Sequence, residues 1–202
     1  MLRAARASGI PALVRCLEQD IARTLDMGAG GLQFPMVNTA AQAAQLVARV
    51  RYPLPSGAGG QRGSAFSSRA AGYGAFGGPR HTELSNDGIA LVVMIETPEA
   101  VANAAAIAAV DGVDGVFVGP NDLAHSMGYE NRWSAAPVQA AIESVLRVTS
   151  AAGKCPGVLA LTTEEEARYA AWGGRYFASV TTGLITQAFR QAAQGSGATT
   201  EY

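Results

Sequence analysis

The sequence predicts an α/β fold on a parallel sheet, of the (β/α)8 TIM-barrel type, with about six of the eight strand–helix units present in this chain. Three observations predict it. Short apolar runs alternate strictly with helical stretches, and strict alternation specifies parallel strands joined by crossovers. The clearest of these runs is near-continuously apolar, as a strand covered on both faces should be. No G-x-G-x-x-G stands at a strand–helix junction and no G-x-x-x-x-G-K-[ST] occurs, which weakens the open nucleotide-binding sheet against the barrel. A full barrel takes about 250 residues. At 202 residues, six units read as a barrel without its first two.

Each unit follows from local chemistry. Pro11-Ala12-Leu13-Val14 ends in Arg15 as a first strand. An amphipathic stretch follows, with Ile21, Leu25 and Met27 against Asp20, Arg23 and Asp26, and Gly28 to Gly31 stops it. Residues 32–37 read as a short strand, and Asn38 or Thr39 can cap a helix over 40–50. Residues 53–88 are rich in Gly, Ser and Pro without strong periodicity, too long for a simple connector, and predict a functional loop or an ordered crossover. Alternation resumes with an apolar strand over 89–95, then Thr97-Pro98-Glu99 as cap and first turn of a helix. Further strands are expected at 116–118, 156–161 and 176–180, with helices over 136–152, after Thr162 or Thr163, and over 184–193. One domain is expected over 1–195, with 196–202 as a mobile tail.

Composition excludes several function classes. With 15 basic and 16 acidic residues the net charge is −1, so no basic nucleic-acid surface is expected. No apolar run approaches the roughly 18 residues of a membrane span, and no secretory h-region opens the chain. Cys16 and Cys155 lack metal-site spacing and read as free thiols of a cytoplasmic protein. Lys154 is the sole lysine. It precedes its strand, on the face of a barrel opposite the active site, which disfavours Schiff-base chemistry.

Active sites of such barrels gather where strands end. The polar residues at strand ends are Arg15, Gln33, Glu96, Asn121 and Asp122. Glu96 ends VVMIE and Asp122 follows GVFVGPN, one strand–helix unit later, so the two acids can converge on one rim as a hard-oxygen site for Mg²⁺ or Mn²⁺. The bland alternatives are a solvated helix-start acid for Glu96, a helix cap for Asp122, and for Arg15 a surface ion pair, for example with Glu18. The functional reading of Arg15 is a cation facing a carboxylate or a developing enolate oxygen. Backbone N–H groups around Asn121 and Asp122 offer donors for a substrate carboxylate. His81 and His125 form no cluster, and Trp133 and Trp172 read as packing residues.

The strings PALVR, LDMGAGGLQFPMV, RYPLP followed by QRG, VVMIET, GVDGVFVGPNDLAHSMGY and AAGKCPGVLA resemble the HpcH/HpaI aldolase family over about residues 10 to 193. These are metal-dependent pyruvate-type aldolases of the phosphoenolpyruvate-binding barrel superfamily. The resemblance implies Glu96 and Asp122 as metal-binding carboxylates, Arg15 as the arginine that holds the pyruvate oxygens, and Asn121 and Asp122 as the stretch that binds the substrate carboxylate. It also implies Asp26, in TLDMGA, as the acid supporting the catalytic base. Two departures stand out. Met94 occupies a position that is often a substrate-contacting glutamine, and the family's D-x-E-H-like segment bearing the general base does not occur in this chain, which reads as shortened at its start.

The resemblance therefore implies cleavage of 4-hydroxy-2-oxo acids to pyruvate and an aldehyde through a metal-stabilised enolate. The competing readings are a citryl- or malyl-CoA lyase and a non-catalytic remnant. A homo-oligomer is expected, with Leu184, Ile185 and Phe189 forming an apolar face on the last helix.

Overall fold

The structure is a computed structural model describing residues 1–57, 59–76 and 79–195; the expected tail at 196–202 lies outside the described residues. Six strands form one sheet: β1 (Leu13–Arg15), β2 (Gly31–Phe34), β3 (Ala90–Ile95), β4 (Gly115–Val118), β5 (Cys155–Leu159) and β6 (Tyr176–Ala178). All five neighbouring pairs are parallel and the spatial order is the chain order. A doubly wound sheet reverses order at a switch point; sequential order is the winding of a barrel. The sheet also curls. β2 and β6 are four strand spacings apart, about 19 Å if flat, yet Tyr176 Oη donates to Gln33 Oε1 at 3.1 Å. The structure thus has the six-unit, partial TIM-barrel architecture the alternation predicts.

Helices accompany the strands. They are α1 (Leu2–Ala7), α2 (Ile21–Asp26), α3 (Ala40–Val50), α4 (Pro79–Gly88), α5 (Pro98–Ala102), α6 (Ala104–Ala108), α7 (Pro120–Ser126), α8 (Ala136–Ala151), α9 (Thr163–Ala171) and α10 (Thr181–Gly195). The main core lies between sheet and helices. Leu91, Val93 and Ile95 of β3 and Val116 and Val118 of β4 meet Ile107 of α6 and Ile142, Val145 and Leu146 of α8, all essentially sealed from solvent. The alternate residues Val92, Met94 and Phe117 point to the concave side, where they pack with Leu159, Tyr176 and Ala178.

Capping follows the sequence. Thr39 and Gln42 form a reciprocal capping box on α3, and Thr97 and Thr162 cap α5 and α9 through their hydroxyls. Two helices carry no apolar stripe and were not expected. α1 buries no side chain. α4, PRHTELSNDG, is polar and sits inside the long 53–88 segment, where its pattern gives no period to read. The described residues of 53–88 form the crossover between α3 and β3. It closes the N-terminal end of the sheet, where the Arg51 guanidinium donates to the carbonyls of Asn86, Ile89 and Gly112 and pairs with Asp114. Asp114 in turn accepts the Leu91 N–H at 2.7 Å, tying β3 to the loop before β4. Among the described residues no helix is long and apolar enough to cross a membrane. Both cysteines are free.

Candidate active site

Glu96 follows the last residue of β3 and, by alternation with Met94, faces the concave side. It is 1 % exposed, so it is not a solvated helix-start acid. Its Oε2 accepts the Met36 N–H at 2.7 Å. Met36 holds a positive φ of 58°, a left-handed conformation that a non-glycine residue adopts at a cost and that recurs at functional sites. The turn after β2, Pro35-Met36-Val37, is held in place from both sides. Val37 N–H donates to the Met94 carbonyl, and the Thr97 hydroxyl donates to Asn38 Oδ1 at 2.6 Å. Glu96 is therefore aimed by two loops at once.

The other carboxylate oxygen, Oε1, is buried and has no hydrogen-bond partner. It points at Gly119, where an added Cβ would stand 2.6 Å from it. Glycine at this position keeps open the space beside the carboxylate. Gly119 precedes α7, and Asp122 stands exposed in that helix's first turn. Burial pushes the Glu96 carboxyl above its ordinary range; the Met36 N–H pulls it down, Asp122 raises it by charge repulsion and by a side-chain hydrogen bond that favours the protonated acid, and Arg15 lowers it. Asp122 and Arg15 thus both act on Glu96, from the C-terminal ends of β4 and β1. Arg15 is exposed and does not pair with Glu18, whose partner is Arg49.

This donor set fits a divalent cation. A buried carboxylate oxygen without a partner, a second carboxylate beside it, and a gap that only glycine leaves open are features a hard cation would satisfy. Among the described residues no three His, Cys, Asp or Glu side chains gather as a metal cluster; the arrangement is a pair of carboxylates with the remaining positions left to water or ligand.

Asp26 is not brought to this rim. It ends α2, which runs back from the C-terminal end of β1, so it lies at the opposite end of the sheet from Glu96. There its carboxylate meets Arg62 at 3.5 Å, and its carbonyl accepts the Ala70 N–H. Sequence reading placed it by motif, and only the direction of α2 shows where it goes. His125 is exposed. His81 is buried in the 53–88 crossover, between the rings of Tyr52 and Phe66. Arg62, also buried there, stacks on Tyr52 at 4.2 Å. Lys154 stands just before β5, at the end of the sheet away from Glu96. Trp133 and Trp172 pack against the core. Sequence reading missed two contributors. Met36 acts through its backbone, which no side-chain pattern reveals. Gly119 acts through the space its missing side chain leaves beside Glu96, which the GPND string does not reveal.

The comparisons agree with this architecture. Residues 10–188 match the family model described as HpcH/HpaI aldolase/citrate lyase. The chain is 42% identical over 184 residues to a hydroxypyruvate/pyruvate aldolase of Delftia acidovorans, covering 90% of this chain and 65% of that protein. It is 41% identical over 179 residues to a 4-hydroxy-2-oxo-heptane-1,7-dioate aldolase of Salmonella paratyphi A, covering 88% and 66%. It spans about two thirds of the length of these curated relatives. A solved HpcH/HpaI aldolase/citrate lyase family protein from Burkholderia cenocepacia superposes with a TM-score of 0.90 at 33% identity, covering 98% of this chain and 78% of that one.

Proposed function

The chain belongs to the HpcH/HpaI aldolase/citrate lyase family, and from that membership we propose that it serves a divalent-metal-dependent carbon–carbon lyase cleaving a 4-hydroxy-2-oxo acid to a pyruvate-type 2-oxo acid and an aldehyde. The observation that carries the reading is the buried Glu96 carboxylate with Oε1 unpartnered and Asp122 acting on it. The names borne by its relatives, both aldolases, support the same reaction class.

Glu96 and Asp122 would hold the cation. Mg²⁺ or Mn²⁺ bound there would supply Lewis-acid stabilisation for negative charge on the 2-oxo oxygen. The chain's own groups do the rest. In cleavage the C4 hydroxyl gives up its proton, the C3–C4 bond breaks, C4 leaves as the aldehyde carbonyl, and the electron pair passes to the enolate of the 2-oxo acid. A proton added at C3 then yields pyruvate. The Arg15 guanidinium at the rim faces the charge that develops on the enolate and carboxylate oxygens. The Asn121 and Asp122 N–H groups, which no side chain caps, are proposed to hold the substrate carboxylate. A general base is still required for the C4 hydroxyl. We further propose a cytoplasmic location, in keeping with the two free thiols. We also propose a homo-oligomer, supported by Leu184, Ile185 and Phe189 standing 55%, 50% and 73% exposed on α10.

The test is pyruvate release from 4-hydroxy-2-oxo acids of several chain lengths, with Mg²⁺ or Mn²⁺ and with EDTA. Release that requires the cation is expected. Cation-independent release, or none with protein that takes up Mn²⁺, would overturn the proposal.

A further inference from the structure

We infer that Gln33 is a specificity-determining residue of this site, its side-chain amide held by Tyr176 so that it donates to an acceptor oxygen of the bound 2-oxo acid. The inference rests on the lyase reading above and adds a residue that neither the motifs nor the comparisons assign.

Gln33 lies in β2, in register with Arg15 of β1 on one side and Val92 of β3 on the other. Register partners in a parallel sheet point to the same face, with their strands about 4.8 Å apart. Gln33 therefore stands beside Arg15 on the concave side, in the row of Val92 and Met94. It is 7 % exposed, and the floor next to it is Val92, Met94 and Phe117. An amide among such neighbours costs free energy unless its groups are matched. One of them is. Tyr176 Oη donates to Oε1 at 3.1 Å, and the tyrosine ring is fixed against Phe117 at a centroid separation of 5.1 Å. An O–H donor requires the amide oxygen, so the NH₂ turns away from Tyr176. No described residue accepts from Nε2, and this nitrogen is not among the sealed, unpartnered atoms, so its donors are not closed off from solvent. Two N–H donors beside a guanidinium, over a floor without other donors, complement the oxygens of a carboxylate or of a 2-oxo acid.

The experiment compares wild type with Gln33→Leu, Gln33→Asn and Tyr176→Phe. Pyruvate binding is measured by calorimetry at saturating Mn²⁺, Mn²⁺ binding is measured separately, and KM and kcat are measured for cleavage. Loss of one neutral hydrogen bond to substrate corresponds to roughly a fivefold to tenfold weaker affinity. Gln33→Leu is expected to weaken pyruvate binding and raise KM by that factor, with kcat and Mn²⁺ affinity within twofold of wild type. Tyr176→Phe, which frees the amide to flip, is expected to weaken binding about threefold. Met94→Gln placed on Gln33→Leu, which returns an amide to the same face, is expected to recover part of the loss. If Gln33→Leu fails to fold, Gln33→Asn, which withdraws the donors by one methylene, carries the test with the same expected direction. Wild type that binds Mn²⁺ but no pyruvate overturns the lyase reading and this inference together. Wild type that binds both, with the folded Gln33 variants binding pyruvate equally well, overturns this inference alone.

Discussion

Replacing Glu96 by Gln separates a metal-holding role from a structural one, because the two roles shift stability in opposite directions. Oε1 of Glu96 is buried without a partner. A buried polar atom left unmatched costs about 1–3 kcal/mol, and more when charged. Glutamine keeps an oxygen for the Met36 N–H, removes the charge, and offers N–H donors toward Asp122. In EDTA at neutral pH the Glu96→Gln protein is therefore expected to be more stable by about 1–2 kcal/mol, which for a chain of this size raises the melting temperature by about 2–8 °C. Cation reverses the order. At a concentration one hundred times Kd, wild type gains about 2.7 kcal/mol, while the variant gains little. The pH dependence has a fixed sign. The folded Glu96 carboxyl lies above its ordinary 4.5, so its contribution to folding is fully present below that value and is lost as pH rises through the folded value. The advantage of the variant in EDTA should therefore open over that window and vanish in acid. Differential scanning calorimetry from pH 4 to 8, with and without Mn²⁺, reads all three effects. A Glu96→Gln protein that melts below wild type in EDTA at neutral pH, or keeps the full Mn²⁺ shift, would refute the reasoning.

Three further outcomes are expected. Gly119→Ala places a methyl 2.6 Å from Glu96 Oε1; it should weaken Mn²⁺ binding by at least about tenfold and cost about 1–3 kcal/mol of stability, read by calorimetric titration and urea denaturation. Arg15→Ala removes an exposed cation, so the melting temperature should hold within about 1–2 °C, while kcat/KM for pyruvate release falls about a hundredfold or more. His81 is pushed below its ordinary 6.5 by burial and then by Arg62; a depressed histidine makes the unfolded chain bind more protons, so stability should fall as pH drops below about 6.5. The stability gap between wild type and His81→Gln, from urea midpoints at pH 7.5 and 5.5, should shift against wild type in acid.

Some of this was legible from the chain alone. Six strands and most helices follow from local signals: apolar runs of strand length, threonines set before helices, glycines after them. Glu96, Asp122 and Arg15 could be singled out because each stands where an apolar run ends. What the pattern did not carry is instructive. α1 and α4 bury no apolar stripe, so they leave no period. The hydrogen bond from Met36 to Glu96 is a backbone donor brought over by a residue with positive φ, and backbone donors have no letter in a sequence.

The sequence by itself determined the six strands, most of the helices and which side chains end the strands, because those properties depend on neighbours a few residues away. Only the tertiary structure decided that Asp26 pairs with Arg62, that the Met36 N–H reaches Glu96, and that Gln33 meets Tyr176. The physical reason is that strand register and helix direction bring together residues far apart in the chain, and no local spacing encodes the distance between them.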